Sequence, residues 1–313
     1  MHFPLHPRVE KALFEYCEHK HGLHMSLGIV RHESVETAAF GNGAMDLPGY
    51  AGPYEIGSIT KTLTAGMYAN AMAQRKVSLT DTILGRLTVT DVLTHTSGIR
   101  EMPMNRDASG NPFSGYDKDD IMRYIAHCQG DPSSDGTWSY SNLGYALAGA
   151  YLETIYGCAY AQLLENHLSE ALCLKHTEIG TQTMCLSGYD EKNNPINWTW
   201  QRDDAYIAAG GLISTLDDML KYLCLQMNES KYAICHQVNA TTPAPFDMGL
   251  AWMIEKGTPI TFCMGLTYGF SSFIGFRKDT ETGIVILSNH CSMGYDHAVS
   301  VSRIGLEFLR VAS

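Results

Sequence analysis

The sequence predicts a mixed α/β fold (α+β class). An antiparallel sheet is flanked by N- and C-terminal helices, and a large helical insertion interrupts it. Three observations support this fold class. Strand-like patterns occur in the first third of the 313-residue chain and return in the last third, a helical pattern stands near each terminus, and the middle third lacks good strand patterns. Because a sheet must bury at least one face under another layer, the terminal helices are expected to pack on it.

The first third of the chain begins with one helix and two strands. Apolar residues in 9–19 recur at positions i, i+3 and i+4, which is typical of a helix with one buried face. Residues 25–31 and 35–40 have the composition of strands and are joined by a charged turn. After a stretch rich in Pro and Gly, a second helix is expected to begin at Ser58 and to run to about Gln74.

Strand patterns return in the last third, at residues 249–255, 270–276 and 283–288. A final helix follows, and its apolar residues share one face: Val301, Ile304, Gly305, Phe308 and Leu309. Both chain ends therefore contribute to one sheet, and the short helical pieces between them form an insertion.

These patterns divide the chain into two predicted domains. Residues 1–78 and 205–313 form the α/β domain, and residues 79–204 form the inserted, mainly helical domain. A chain of this length is sufficient for one large unit that carries such an insertion. We expect the active site in the cleft between the two domains.

Composition argues against several classes of function. The chain has 33 acidic and 22 basic residues, a net charge of −11, whereas nucleic-acid binders need basic surface to meet phosphates. No run of about 18 apolar residues and no secretory leader pattern is present. Nine cysteines without a C-x-x-C pair are typical of reduced thiols in a cytoplasmic protein. We predict a cytoplasmic location, no cofactor, no metal ion, and neither nucleic-acid nor membrane partners; the oligomeric state stays open.

One short motif carries candidate chemistry: Ser58-Ile59-Thr60-Lys61 is the only S-x-x-K in the chain. At the start of a helix, free backbone N–H groups would favour negative charge developing near Ser58. Lys61 lies on the same helical face, with its Cβ about 5–6 Å from that of Ser58. A lysine held against a serine hydroxyl can accept its proton. The alternative is a serine that only caps a helix beside a solvated lysine.

A second candidate element is Tyr140-Ser141-Asn142, which offers a phenol and an amide. Tyr68-Ala69-Asn70 has the same spacing, but Tyr68 lies ten residues along the same helix as Ser58, about 15 Å away at 1.5 Å per residue. Tyr140 ends a loop rich in Gly, Ser and Asp, where functional residues are commonly displayed. Tyr140 and Asn142 are therefore the better candidates.

Five ordered blocks now identify a family resemblance: YEIGSITKTLTAGM, VLTHTSGI, WSYSNLGYALAG, AAGGLISTLDDML, and GFSSFIGF with GIVILSN. Over nearly the whole chain they resemble the class C β-lactamases and their relatives, which include penicillin-binding proteins, D-alanyl-D-alanine carboxypeptidases, D-aminopeptidases and esterases. The resemblance implies a β-lactamase/transpeptidase-like fold and a serine hydrolase. It implies that Ser58 is the nucleophile, Lys61 its proton partner and Tyr140 the general base, and that Asn142 binds the acyl side chain.

The family's third motif is altered in this chain. It reads Lys or His, any residue, then Gly, and its place here is taken by Cys263-Met264-Gly265. By resemblance the glycine allows close approach of the substrate and Leu266 supplies the second oxyanion N–H, after that of Ser58. The cation that binds a substrate carboxylate is missing, unless Arg277 or Arg202 supplies it from elsewhere.

We therefore expect a small-molecule ester, amide or peptide substrate without a strong carboxylate requirement. The alternatives are a catalytically weak module that binds or senses acyl ligands, and a true β-lactamase or carboxypeptidase with its cation supplied elsewhere. A buried, non-reactive Cys263 is the favoured interpretation. His95, His290 and the cluster of His19, His21 and His24 are expected to be structural or solvated. For Trp198 and Trp200 a position in the core or as a loop anchor is favoured, and a place in the wall of the cleft is the alternative.

Overall fold

The computed structural model describes residues 5–32, 34–41, 44–45, 52–100, 111–128, 136–181, 185–292 and 299–312. Its α-helices are α1 (Pro7–Cys17), α2 (Thr60–Ala73), α3 (Val89–Leu93), α4 (Lys118–Cys128), α5 (Asn142–Tyr156), α6 (Tyr160–Asn166), α7 (Ile207–Gly210), α8 (Leu216–Asn228) and α9 (Val301–Val311). Its strands are β1 (His24–Arg31), β2 (Ser34–Gly41), β3 (Ala44–Met45), β4 (Tyr54–Glu55), β5 (Thr82–Leu84), β6 (Leu87–Thr88), β7 (Glu178–Ile179), β8 (Leu212–Ser214), β9 (Phe246–Met248), β10 (Met253–Glu255), β11 (Ile260–Leu266), β12 (Ser271–Arg277) and β13 (Thr282–Ser288).

Eight strands form one antiparallel sheet in the order β3-β2-β1-β13-β12-β11-β10-β9. Strand β1 from the first third pairs with β13 from the last third, and Met25 lies opposite Ser288. The two ends of the chain therefore share one sheet, which confirms the predicted fold class. A smaller sheet, β4-β8-β7, joins the segment before Ser58 to the last third.

Helices cover both faces of the large sheet. Side chains alternate along β13, so Val285 and Leu287 lie in the buried cluster with α8, while Ile284 and Ile286 lie in the cluster with α1 and α9. Helix α8 approaches the sheet closely because Gly28 carries no side chain: a Cβ there would lie 2.6 Å from Leu220 Cδ1. The terminal helices thus pack on the face opposite α8, as a sheet with two apolar faces requires.

The middle of the chain is mainly helical, with α3 to α6 among its described elements. Helix α5 begins where the Ser141 hydroxyl accepts the Gly144 N–H at 2.9 Å, and it ends at Gly157, whose φ is +72°. Three short strands also occur here, and β7 pairs with β8 of the last third. The division at residues 79 and 204 stays a prediction. Within the described ranges, no helix is long and apolar enough to cross a membrane.

One predicted strand is wrong in its extent. Residues 249–255 contain only the short strand β10, because residues 249–252 form the turn that connects it to β9. Gly249 N–H bonds the Trp252 carbonyl at 2.8 Å, and Ala251 has a φ of +66°. The apolar run resembles a buried strand because the turn is itself buried. The other predicted strands and terminal helices are confirmed within two residues at each end.

Candidate active site

Ser58 lies in a 3-10 turn, Gly57–Ile59, that leads directly into α2. The α-helix therefore begins two residues later than predicted, and Ser58 keeps its place at the N-terminal end. Gly57 has a φ of +49°, and a Cβ there would lie 2.7 Å from the Leu266 nitrogen. Only glycine allows this conformation together with so close an approach to β11. The turn thereby holds Ser58 against the end of β11.

Lys61 reaches Ser58 from the first turn of α2 and is almost fully buried, with 2% of its surface exposed. Its Nζ donates to Ser58 Oγ at 3.0 Å, to Asn142 Oδ1 at 2.7 Å and to the Ala209 carbonyl at 2.7 Å. An ammonium group has three N–H donors, and three acceptors surround this one. The burial of the charge is thus offset by hydrogen bonds from three separate segments.

Tyr140 completes the centre from the segment before α5. Its hydroxyl lies 2.5 Å from Ser58 Oγ, and the Lys61 ammonium lies 4.8 Å from its ring centroid. Ser58, Lys61, Tyr140 and Asn142, predicted from two distant motifs, thus form one hydrogen-bonded group. By contrast, the Tyr68 hydroxyl donates to the Ala148 carbonyl in the core, away from this group.

His95 is a residue whose importance the sequence analysis missed. Its ring centroid lies 4.5 Å from that of Tyr140, its carbonyl accepts the Ser139 N–H at 2.7 Å, and its Nδ1 accepts the Ser141 N–H at 3.1 Å. Burial first, and the charge of Lys61 second, hold the pKa of His95 well below its usual value, so the ring is neutral. His95 therefore holds the Tyr140 backbone on both sides.

The end of β11 presents an unpaired backbone edge to Ser58. Pairing with β10 is recorded only as far as Phe262, opposite Met253. Thr267 N–H bonds the Phe270 carbonyl, so the antiparallel alternation turns the N–H of Leu266 away from β12 and toward the turn at Gly57. Gly265 allows this contact, since a Cβ there would lie 2.0 Å from the Ile56 carbonyl oxygen. The Leu266 N–H is thus placed beside Ser58.

Cys263 lies on the same strand, is 3% exposed and lines the cleft, with its Sγ 3.8 Å from the Ser58 carbonyl oxygen. Burial raises the pKa of its thiol to about 12, although the nearby Lys61 lowers it slightly. The thiol is therefore neutral and a poor nucleophile. This uncharged side chain stands where the sequence analysis expects the third motif to lack its cation.

Neither arginine considered as a substitute cation lines the described cleft. Arg202 pairs with Glu165, and Arg277 pairs with Asp279 at 2.7 Å. Among the cleft-lining residues that the structure describes, Lys61 is the only lysine or arginine, and none is acidic.

The cleft has a volume of about 450 Å³ and is lined mainly by apolar side chains. Trp198 and Trp200 both line it, which was the less favoured of the two positions considered for them, and Trp200 also belongs to the buried core. Further lining residues escaped the sequence analysis: Phe113, Trp138, Tyr206, Phe246, Met248, Met253 and Tyr268. Trp138 was detectable, because it stands two residues before Tyr140 in the same block; the others come from distant segments.

Glu55 is a buried carboxyl group next to the cleft wall, on β4 three residues before Ser58. Its Oε1 accepts the Trp198 N–H at 2.7 Å, and 5% of the residue is exposed. Burial raises the pKa of Glu55 to about 7, against the smaller lowering effects of Thr267, the Trp198 N–H and Asn197. The group therefore titrates near neutrality.

Comparison with known proteins identifies relatives of this chain. A beta-lactamase from Providencia stuartii is 28% identical over 197 residues, which cover 58% of this chain and 48% of the relative. The chain spans about half the length of the first curated relatives it matches.

Solved structures show the same fold. A class C beta-lactamase from Rhodobacter sphaeroides superposes with a TM-score of 0.77 and 20% identity, covering 97% of this chain and 100% of that one. A D-stereospecific amidohydrolase from Streptomyces sp. superposes with a TM-score of 0.76 and 20% identity, covering 99% and 100%. The model of the beta-lactamase family matches residues 21–298. The predicted resemblance is thus confirmed, and the chain belongs to the beta-lactamase family.

Proposed function

We propose that the protein is a serine hydrolase that forms an acyl-enzyme at Ser58 and acts on esters or amides without requiring a substrate carboxylate. One observation carries the proposal: Ser58 Oγ lies 2.5 Å from Tyr140 OH and 3.0 Å from Lys61 Nζ. A hydroxyl within hydrogen-bond reach of a base, with a third group orienting both, is the arrangement of an activated nucleophile.

Acylation begins with transfer of the Ser58 proton. When the three N–H donors of Lys61 point to Ser58 Oγ, Asn142 and the Ala209 carbonyl, its nitrogen has no lone pair for that proton. The Tyr140 oxygen, as a phenolate, is then the acceptor, and the ammonium beside its ring stabilises its negative charge. Lys61 acts in this scheme as a fixed cation, and Tyr140 is the general base.

The remaining steps return every group to its starting state. Ser58 Oγ attacks the carbonyl carbon, and the oxyanion that develops is bound by the N–H groups of Ser58 and Leu266. Tyr140 gives its proton to the departing oxygen or nitrogen as that bond to carbon breaks. Water then loses a proton to Tyr140 and attacks the acyl-enzyme; Ser58 recovers the proton as the acid leaves.

The uncharged β11 edge supports the substrate preference. Cys263 offers a neutral thiol where a carboxylate-binding cation would stand, and the chain has a net charge of −11. A carboxylate placed there would lose hydration without gaining an ion pair. We therefore infer poor turnover of penicillins and of D-alanyl-D-alanine termini.

The test compares three proteins: the wild type, Ser58→Ala and the control Ser169→Ala, which removes an exposed hydroxyl on the surface. Each is incubated with a fluorophosphonate probe, p-nitrophenyl butyrate and a penicillin, and intact mass and p-nitrophenol release are measured. The wild type and Ser169→Ala should be labelled and cleave the ester, whereas Ser58→Ala should do neither.

Two results would contradict the proposal in different ways. If no protein is labelled and none cleaves the ester, Ser58 is not an activated nucleophile. The alternative function, a module that binds or senses acyl ligands, then replaces the proposal. If the wild type hydrolyses the penicillin as fast as the ester, the proposed substrate preference is wrong and a β-lactamase activity replaces it.

A further inference from the structure

Five aromatic rings of the cleft form one connected group, here called the aromatic wall: Phe113, Trp198, Trp200, Tyr206 and Tyr268. The Phe113 ring centroid lies 5.3 Å from that of Trp198, and the Trp198 centroid lies 5.0 Å from that of Tyr268. The wall therefore continues from the segment before α4 to the turn that follows Leu266. It presents a flat apolar surface, and contacts between its rings fix their positions.

A second group of side chains, here called the methionine wall, consists of Trp138, Phe246, Met248, Met253 and Met264. Trp138 packs edge-on against Phe246, with ring centroids 5.4 Å apart, and Met248 pairs with Met253 across β9 and β10. Methionine side chains adapt to irregular apolar surfaces because they are unbranched and polarisable. This wall can therefore take apolar groups of varied shape.

The position of Tyr140 indicates which wall contacts the leaving group and which contacts the acyl group. In the proposed reaction Tyr140 protonates the leaving group. Trp138 stands only two residues before Tyr140 in the chain, and both side chains line the cleft. The leaving group should therefore lie against the methionine wall, while the acyl group extends past Leu266 to Tyr268 and the aromatic wall.

Charge narrows the substrate further. Of the described residues that line the cleft, only Lys61 is a lysine or arginine, and its three N–H donors already have partners. Within the described part of the cleft, a charged substituent on either side of the scissile bond would be dehydrated without a counterion.

We propose that the substrate is an uncharged ester or amide with an aromatic ring on its acyl part and an apolar leaving group. This inference rests on the proposed Ser58 hydrolase activity. Aromatic pairing gives the acyl ring both buried area and favourable edge-to-face contacts with Trp198 and Tyr268.

The test measures kcat/KM for p-nitrophenyl esters of acetic, phenylacetic and 3-phenylpropionic acids and for p-nitrophenyl hydrogen succinate. The aromatic acyl groups should be preferred over acetate by about 10- to 100-fold, and the succinate should be the poorest substrate. Trp198→Ala and Tyr268→Ala should each lower the phenylacetate-to-acetate ratio. Tyr268 is 41% exposed, so Tyr268→Ala leaves no buried cavity and should fold like the wild type. Phe14→Ala, which alters an exposed ring on α1, should leave the ratio unchanged.

The leaving-group side is tested with phenylacetate esters of p-nitrophenol and of methanol: Trp138→Ala should lower their rate ratio. A binding measurement separates this inference from the proposed function. Ser58→Ala is titrated with benzyl phenylacetate and with benzyl hydrogen succinate, and tryptophan fluorescence is followed. Tighter binding of the phenylacetate supports the inference even if Ser58 proves unreactive. Equal or tighter binding of the succinate, or an acyl preference that survives Trp198→Ala and Tyr268→Ala, would overturn it.

Discussion

Buried polar groups differ in charge between the centre around Ser58 and the β11 side of the cleft. At the centre, the Lys61 ammonium is surrounded by three acceptors that come from three segments. On the β11 side, Cys263 is a neutral thiol and Glu55, behind the aromatic wall, has a carboxyl group with a pKa raised to about 7. The comparison shows that three acceptors offset the burial of the Lys61 ammonium, whereas the partners of Glu55 do not offset the larger effect of burial on its pKa.

Tyr140→Phe should have the largest effect on activity. Removing the hydroxyl 2.5 Å from Ser58 Oγ removes the proposed general base, and kcat for p-nitrophenyl butyrate should fall by about 10²- to 10⁴-fold. Tyr151→Phe, which alters a partly buried tyrosine elsewhere in α5, is the matched control. A Tyr140→Phe enzyme with near-wild-type kcat would assign the base to Lys61 instead.

Glu55→Gln should change stability in a pH-dependent manner. Because folding raises the carboxyl pKa from its ordinary 4.5 to about 7, ionised Glu55 destabilises the folded state, and stability is lost as pH rises from about 4.5 through 7. At 1.36 kcal/mol per pH unit, the penalty reaches about 3 kcal/mol above neutrality. Glutamine cannot ionise. The free energy of unfolding of the variant, relative to that of the wild type, should therefore increase by that amount between pH 4.5 and pH 8.

Urea unfolding at several pH values measures this difference. Glu178→Gln, at an exposed position on β7, is the control and should show no such trend. A Glu55 variant whose stability parallels the wild type at every pH would mean that the carboxyl group is ionised and satisfied in the folded protein.

His95→Asn should have an intermediate effect. Loss of the ring that packs on Tyr140 at 4.5 Å should lower kcat by about 10- to 100-fold through misplacement of Tyr140. Since the pKa of His95 lies well below its usual value, the ring is neutral throughout the working range. The pH–rate profiles of variant and wild type should therefore be parallel above pH 6. A basic-limb or acidic-limb inflection lost only in the variant would show that His95 itself transfers a proton.

Substitution of Cys263 should have the smallest effect on ester hydrolysis. Cys263→Ala removes a neutral thiol that has no assigned catalytic part, so kcat/KM for p-nitrophenyl butyrate should change by less than about 3-fold. Cys263→Lys should raise kcat/KM for p-nitrophenyl hydrogen succinate, relative to that for p-nitrophenyl butyrate, by about 5- to 10-fold. This is the effect of one ion pair worth about 1 kcal/mol. Inactivation of Cys263→Ala, with its thermal unfolding unchanged, would instead assign the thiol a direct role.

Local patterns in the sequence, together with the resemblance of five ordered blocks to a known family, were sufficient for the fold class and for the polar centre. Strand-like composition marked β1, β2, β12 and β13, and hydrophobic residues at a period near 3.6 marked the two terminal helices, because each of these elements is buried on at least one face. Ser58 and Lys61 were found because they lie three residues apart, and Tyr140 and Asn142 because the same short block contains both. The loss of the cation from the third motif, at Cys263, stays a prediction from the family resemblance.

Only the tertiary structure decided what surrounds that centre. The aromatic wall joins Phe113, Trp198 and Tyr268, which are separated by 70 or more residues, so no local pattern connects them. The carbonyl of Ala209 and the ring of His95 reach the centre through backbone geometry, which side-chain identities do not encode. The pKa of Glu55 likewise depends on burial, and burial is a property of the packed chain. Residue type and spacing determined the chemistry this protein can attempt, whereas long-range packing decided the electrostatics and the shape of the cleft in which it takes place.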